Sequence, residues 1–291
     1  MSESQRRRAA VLGHPVAHSL SPVLHQAAYA ELGIDWLYSA HDVTPGQLPE
    51  FLDGCGDEWA GLSLTMPLKE TVIALLDDVE DRARSVRSVN TVVFEGGRRR
   101  GFNTDVVGLE AILAAAGLAP GCSALVIGAG ATARSAVAAL AAHGAARVEI
   151  RARRPAAASE LSELASRLGM QASTGGWPIA AHTLSADVVV STVPAAVGAP
   201  RWVPPRPGLL IDVLYDPWPT PLAAAWAGAG GSVVGGLELL VGQAVEQVEL
   251  MTGSRPEPQT LRAAGAAALE QRSAEHTPDR RGAGNIAQEE Q

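Results

Sequence analysis

The stretch SALVIGAGATARSAVAALAAHGAARVEI, residues 123–150, constrains the fold more than any other part of the chain. An apolar run from Ala124 to Ile127 leads directly into Gly128-x-Gly130-x-x-Ala133 and then into a helix-forming segment that ends at Gly144. A bare glycine spacing is weak evidence. A strand before it and a helix after it make it a phosphate-binding βαβ turn. The first glycine permits the tight turn, the second lets backbone approach a pyrophosphate, and the small third residue lets helix and strand pack closely. Gly128, Gly130, Ala131 and Ala133 are therefore candidate dinucleotide contacts. The expected fold is α/β, with a doubly wound, Rossmann-type sheet in this half of the chain.

The next strand selects the dinucleotide. NAD binders usually carry an acidic residue at its end, bonded to the ribose 2′-hydroxyl. This chain reads VEIRARRP there, with Glu149 ahead of the strand end and Arg151, Arg153 and Arg154 crowded at it. A guanidinium fork suits a dianionic 2′-phosphate. NADP(H) is the expected cofactor.

Apolar runs alternate with amphipathic segments along the rest of the 291 residues, a length that suits about two domains. The pattern predicts strands at Ala9 to Leu12, in WLYSAHDV and at Ala60 to Leu64. It predicts helices from Pro22 to Leu32 and through PLKETVIALLDD, and a hairpin around Gly96 and Gly97. Beyond Gly144 it predicts buried strands in ADVVVSTVP, GLLIDVLY and GSVVGG, then helices at Leu237 to Met251 and Pro258 to Gln271. Residues 1–105 form an expected first domain and 106–236 the dinucleotide-binding one. Helices over about 237–272 are expected to pack back on the first, and 273–291 to be a disordered tail.

Three polar features fall outside this scaffold. In GHPVAHSLSP, Ser21 before Pro22 serves as a helix cap, which leaves Ser19 surplus; two hydroxyls beside a helix N-terminus suit a carboxylate. Of the 23 lysine-plus-arginine residues, Lys69 is the only lysine. Arginine serves most surface roles, but only lysine gives up its proton readily. Thr65, Asn90 and Asp105 stand at strand ends and helix starts, where each also has an ordinary reading as a cap or turn residue.

The ordered motifs GHPVAHSLSP, LTMPLKE, SVNT, NTDVVGL, GAGATAR, STVP, YDPWPTPL and GLELLVGQAVEQ together resemble the shikimate dehydrogenases and their quinate-using relatives, from about Ala9 to Gly253. The resemblance implies an N-terminal α/β substrate domain, an interdomain cleft, and reversible NADPH-dependent reduction of 3-dehydroshikimate to shikimate in aromatic amino-acid (chorismate) biosynthesis. It implies that Lys69 and Asp105 are the catalytic pair. Ser19 and Ser21 would hold the substrate carboxylate with Tyr215 nearby, and Thr65, Asn90 and Gln243 the ring hydroxyls. Arg153 and Arg154 would face the 2′-phosphate, and Thr192 and Gly235 would lie along the cofactor. The chain departs from the common pattern at Ser63, where many members have Asn, at Ala152-Arg153-Arg154, where many have NRT, and at Val106, where many have Gly.

The residue types fit such chemistry. Hydride delivery to a ketone makes an alkoxide, and a positioned acid that protonates it contributes roughly 10²–10⁴-fold. Lys69 can both stabilise that charge and donate the proton; arginine does only the first. Two other readings stay open: a quinate or broad-range dehydrogenase, against which the SLS pair weighs, and a non-catalytic NADP-binding regulator, against which the intact Lys69–Asp105 pair weighs. Net charge of −8 argues against a nucleic-acid partner, and no apolar run reaches membrane-spanning length. With two cysteines, Cys55 and Cys122, and no secretion signal, a cytoplasmic monomer or homodimer is expected. The histidines 14, 18 and 25 make no complete zinc set, so no metal is expected.

Overall fold

Two sets of apolar strands build two six-stranded sheets in the computed structural model, which describes residues 6–179, 186–194, 203 and 207–275. The first sheet uses β1 (Arg8–Gly13), β2 (Leu37–Asp42), β3 (Trp59–Leu64), β4 (Asp78–Val79), β5 (Thr91–Glu95) and β6 (Arg98–Phe102), in the order β2-β1-β3-β5-β6-β4. Its β1, β2 and β3 run parallel, whereas β5 lies antiparallel to β3 and turns through the Gly96–Gly97 hairpin into β6. The second sheet is wholly parallel. It uses β7 (Ser123–Ile127), β8 (Arg147–Arg151), β9 (Gln171–Gly175), β10 (Val188–Ser191), β11 (Leu209–Asp212) and β12 (Ser232–Gly235), in the order β12-β11-β10-β7-β8-β9. Chain order reverses between β7 and β10, the switch point at which such sheets open a crevice for ligands.

The helices follow from local signals. α1 (Ser21–Leu32) takes Pro22 in its first turn and stops at left-handed Gly33. α5 (Thr104–Ala115) is capped by Asn103, whose side chain accepts from Val106 N at 3.1 Å. α6 (Ala131–His143) follows the glycine turn, and α9 (Gly236–Thr252) and α10 (Pro258–Glu275) close the chain. Val241, Ala244, Val245 and Val248 of α9 and Leu261 of α10 share a core with Ala9, Val11, Leu24 and Ala28, so both helices lie against the first sheet. α10 runs to Glu275, past the start of the expected tail; residues 276–291 lie outside the described residues.

Several elements differ from the sequence reading. PLKETVIALLDD is not one helix: α3 (Leu68–Thr71) makes a single turn, a 3-10 turn covers Val72–Leu75, and the chain then enters β4. The run Thr71-Val72-Ile73 is β-branched and favours helix poorly. The capping of α1 and α5 also differs. Ser21 is the first helical residue rather than the cap, and Asp105 sits in the first turn behind the cap Asn103. α2 (Leu48–Asp53), α4 (Asp81–Val86), α7 (Pro155–Arg167), α8 (Pro221–Gly228) and β9 were not foreseen. Among the described residues no helix is long and apolar enough to cross a membrane.

Candidate active site

The ends of β1 and β3, the starts of α1 and α5, and one face of α9 converge on a cavity of about 270 Å³. Its lining includes all eight residues singled out for substrate and catalysis: Ser19, Ser21, Thr65, Lys69, Asn90, Asp105, Tyr215 and Gln243. At the α1 end, the surplus hydroxyl does the backbone's work: Ser19 Oγ accepts from Ser21 N at 3.2 Å. This leaves the Ser21 hydroxyl free of capping, and Leu20 holds the cap position with no side-chain cap bond.

Lys69 comes from α3 and Asp105 from the first turn of α5. Lys69 Nζ donates to Asp105 Oδ2 at 2.6 Å, with only 14% and 7% of the two side chains exposed. The other carboxylate oxygen, Oδ1, accepts from Asn90 Nδ2 at 2.8 Å. The orientation of the Asn90 amide is settled by Thr104 N, which donates to Asn90 Oδ1 at 2.8 Å and can do nothing else. Both oxygens of Asp105 are thus held while the ammonium keeps donors to spare. Removing one member of so buried a pair costs about 3–5 kcal/mol, because the other charge is stranded.

Behind this pair runs a directional chain of buried hydrogen bonds. Tyr38 OH donates to Ser63 Oγ (2.6 Å), which donates to Gln247 Oε1 (2.8 Å). Gln247 Nε2 donates to Thr91 Oγ1 (3.0 Å), which donates to Asn90 Oδ1 (3.0 Å). The Tyr38 ring stacks on His25 at 3.9 Å between centroids. Burial raises the Tyr38 phenol well above its usual range and pushes His25 down to about 4, so both are neutral at physiological pH. Neutral His25 uses Nδ1–H to donate to Ser21 O at 2.9 Å.

A second cavity, about 460 Å³, shares Thr65, Lys69 and Thr132 with the first. Gly128, Gly130, Ala131, Ala133, Arg153, Arg154 and Thr192 line it. Gly128 has φ +113°, and a Cβ there would strike Thr192 Oγ1. Gly130 caps α6 without a side chain, so the helix presents free N–H groups to the cavity. Arg153 and Arg154 are exposed at its rim. Arg151 is not available to a ligand: it is buried, ion-paired with Glu149 and bonded to Gly176 O. A cradle of backbone donors beside two exposed guanidinium groups fits a phosphorylated dinucleotide. Gly235 does not reach either cavity; it lies under the Trp218 ring, where a Cβ would sit 2.8 Å from the indole. Burial raises the Tyr215 phenol in the first cavity.

The shikimate dehydrogenase substrate-binding domain matches residues 11–92, and the shikimate 5'-dehydrogenase C-terminal domain matches residues 236–264. A shikimate dehydrogenase (NADP(+)) of Methanothermobacter thermautotrophicus is 36% identical over 261 residues, covering 84% of this chain and 91% of that protein. The chain belongs to the shikimate dehydrogenase family. Solved family structures agree in fold. The shikimate 5-dehydrogenase of Mycobacterium fortuitum is 43% identical with a TM-score of 0.79, covering 89% of this chain and 97% of that one. That of Thermus thermophilus, in complex with NADP(H) and shikimate, is 34% identical with a TM-score of 0.76, covering 90% and 100%.

Reading the sequence against the family motifs did not reveal the supporting shell. Gln247 stands four residues after Gln243, hence on the same helix face, and that spacing was a usable signal. Thr91 and Thr104 stand inside the motifs SVNT and NTDVVGL, but nothing there showed their bonds to Asn90 and Gln247, and Tyr38 had no signal because its partner Ser63 lies 25 residues away. Arg134, within the GAGATAR motif, donates to Val86 O at 2.9 Å and pairs with Glu70, beside Lys69. It thereby ties the first turn of α6 to α3 and α4.

Proposed function

We propose that this protein is a shikimate dehydrogenase that interconverts 3-dehydroshikimate and shikimate with NADP(H). The observation that carries the reading is the buried Lys69–Asp105 pair at the junction of the two cavities, one sized for a small ring and the other edged by backbone donors and guanidinium groups. NADPH, when bound, supplies the hydride. Gly128, Gly130, Ala131, Ala133 and the α6 N–H groups would hold its pyrophosphate, Arg153 and Arg154 its 2′-phosphate, and Thr192 would lie along it.

The chain's own residues do the rest. Ser19, Ser21 and Tyr215 hold the carboxylate, and Thr65, Asn90 and Gln243 orient the ring. As the ketone oxygen gains charge, the Lys69 ammonium stabilises it and gives up its Nζ proton, so hydride plus proton complete the alcohol. In the oxidative direction the neutral amine takes the proton back. Asp105 keeps the amine aimed, and Asn90 keeps Asp105 aimed. The reading holds for a cytoplasmic monomer or homodimer alike, within aromatic amino-acid biosynthesis.

The test is a substrate and cofactor panel on purified protein, followed at the reduced-nicotinamide absorbance band. Shikimate with NADP should give the highest kcat/KM. Preference for quinate would move the protein to the broad-range class. Cofactor binding with no turnover of either acid would indicate a regulator.

A further inference from the structure

The Lys69–Asp105 pair depends on three separate stretches of chain keeping register: α3, which carries Lys69, the strap from Val86 to Asn90, and the first turn of α5, which carries Asp105. All three meet the start of α6, the helix whose N–H groups face the cofactor cavity. Arg134 joins two of them to it. Its backbone N–H closes the first turn of α6 on Gly130 O at 3.1 Å, so the phosphate-facing turn itself carries the side chain. The guanidinium leaves that turn. Nε donates to Val86 O at 2.9 Å, and Nη2 pairs with Glu70, next to Lys69. Beside it, Ser135 Oγ accepts at 3.2 Å from Nδ2 of Asn103, the cap of α5.

Nothing in α4 serves the Val86 carbonyl. Val86 ends that helix, and the next four N–H groups, those of residues 87–90, go to Arg84, Ala83, Lys69 and Phe102. A helix C-terminus leaves such carbonyls open, and a cation there suits the helix dipole. The strap then turns through Arg87 at φ +51°, a left-handed conformation that a residue with a Cβ enters only at a cost. A segment in that conformation keeps its shape when its neighbours fix it. Past the turn, each residue reaches the catalytic frame. Ser88 O accepts from Asn103 Nδ2 at 2.7 Å, Val89 N donates to Lys69 O at 2.8 Å, and Asn90 Nδ2 holds Asp105 Oδ1. Only 19% of the Arg134 side chain is exposed, so its bonds to the strap and to Glu70 are largely shielded from water.

We propose that Arg134 is a positioning residue for hydride transfer: by locking the strap and α3 to the cofactor's own helix, it keeps Lys69 and Asp105 in register with the bound dinucleotide. Arg134 lines neither cavity and acts through Val86 and Glu70. The inference rests on the shikimate reading of the site and deepens it.

The experiment measures the single-turnover rate of NADP reduction by shikimate with both ligands saturating, together with the dissociation constant of each, on protein shown to be folded by its melting curve. Arg134→Met should slow the single turnover about tenfold, as expected when a catalytic group shifts by a fraction of an ångström, with both dissociation constants within about threefold. Arg134→Lys can serve Glu70 or Val86 O but does not span both, and should fall about threefold below wild type. Glu70→Ala leaves Arg134 on Val86 alone and should also cost about threefold; it tests the proposal even if Arg134→Met fails to fold. An unchanged single-turnover rate in folded Arg134→Met or in Glu70→Ala would overturn the proposal. So would a lower melting temperature alone, since a mere prop of the fold lowers stability and leaves the rate per folded molecule intact. A loss confined to NADP affinity would overturn it too, because Arg134 would then belong to the cofactor's seat. Failure of the wild type to turn over shikimate would instead bring down the functional reading itself.

Discussion

The two cavities that meet at Lys69 are built in opposite ways. The wall of the substrate cavity is backed by buried side chains locked to one another, from Tyr38 through Ser63, Gln247, Thr91 and Asn90 to Asp105. The cofactor cavity relies on backbone: the glycine turn, the uncapped start of α6 and two exposed arginines. A small ring with several hydroxyls needs rigid, directional partners, because a misplaced donor costs recognition. A long, charged dinucleotide that comes and goes is served by N–H groups already in place and by flexible charge at the rim. The first kind of site fails sharply when one member is lost, and the second weakens by degrees.

That contrast sets the expected sizes of effect. The largest belongs to the carboxylate that holds the shared Lys69: Asp105→Asn should lower kcat by roughly 10²-fold or more with a smaller change in KM, measured in steady state, because Lys69 loses its aim and its counter-charge. The next tests how firmly the substrate wall depends on neutral, buried groups. Burial holds the pKa of His25 at about 4 rather than 6.5, so the unfolded chain binds a proton that the folded chain refuses. Stability is then complete above about pH 6.5 and falls by about 3 kcal/mol as pH drops through that window to 4. Urea unfolding of wild type and His25→Phe across this range should show the extra loss in the wild type alone.

On the cofactor side, the double substitution Arg153→Ala with Arg154→Ala should raise KM for NADPH about 10-fold to 100-fold and leave KM for NADH within about twofold, from the loss of charge-assisted hydrogen bonds to phosphate. Equal losses with both cofactors would show that the arginines do not read the 2′-phosphate. The smallest effect is expected one layer behind the chemistry. Gln247→Leu leaves the Ser63 and Thr91 hydroxyls without their partner and should lower kcat by about 3-fold to 10-fold. An unchanged kcat would show that Thr91 and Thr104 hold Asn90 without help from Gln247.

The same division decided what could be read from sequence. The cofactor turn was legible because its requirements are local: Gly128, Gly130 and Ala133 follow a strand and open a helix within a few residues. Lys69 and Asp105 were legible as residue types, and family motifs joined them; the 2.6 Å bond between residues 36 apart was not. Ser21 was misjudged as the cap of α1: Leu20 holds the cap position with no side-chain cap bond, and backbone geometry places Ser19 Oγ on Ser21 N. The extent of α3 was also misjudged, its apolar spacing outweighed by β-branched Val72 and Ile73. α7 carried usable apolar spacing at Ala158, Leu161, Leu164 and Ala165, whereas α2 and α4 are too short for periodicity to show. Arg272 fell at the very end of the helices expected to pack on the first domain, and only the packing of α10 shows that it reaches the carbonyl of Ser19, 253 residues away in sequence.

The most direct test of this account is the kcat of Lys69→Arg with saturating shikimate and NADP, on protein shown to be folded by its melting curve. Arginine preserves the positive charge and the partnership with Asp105 but holds its proton. The account predicts a fall of about 10²-fold or more. A rate near that of the wild type would contradict it, because charge alone would then be enough.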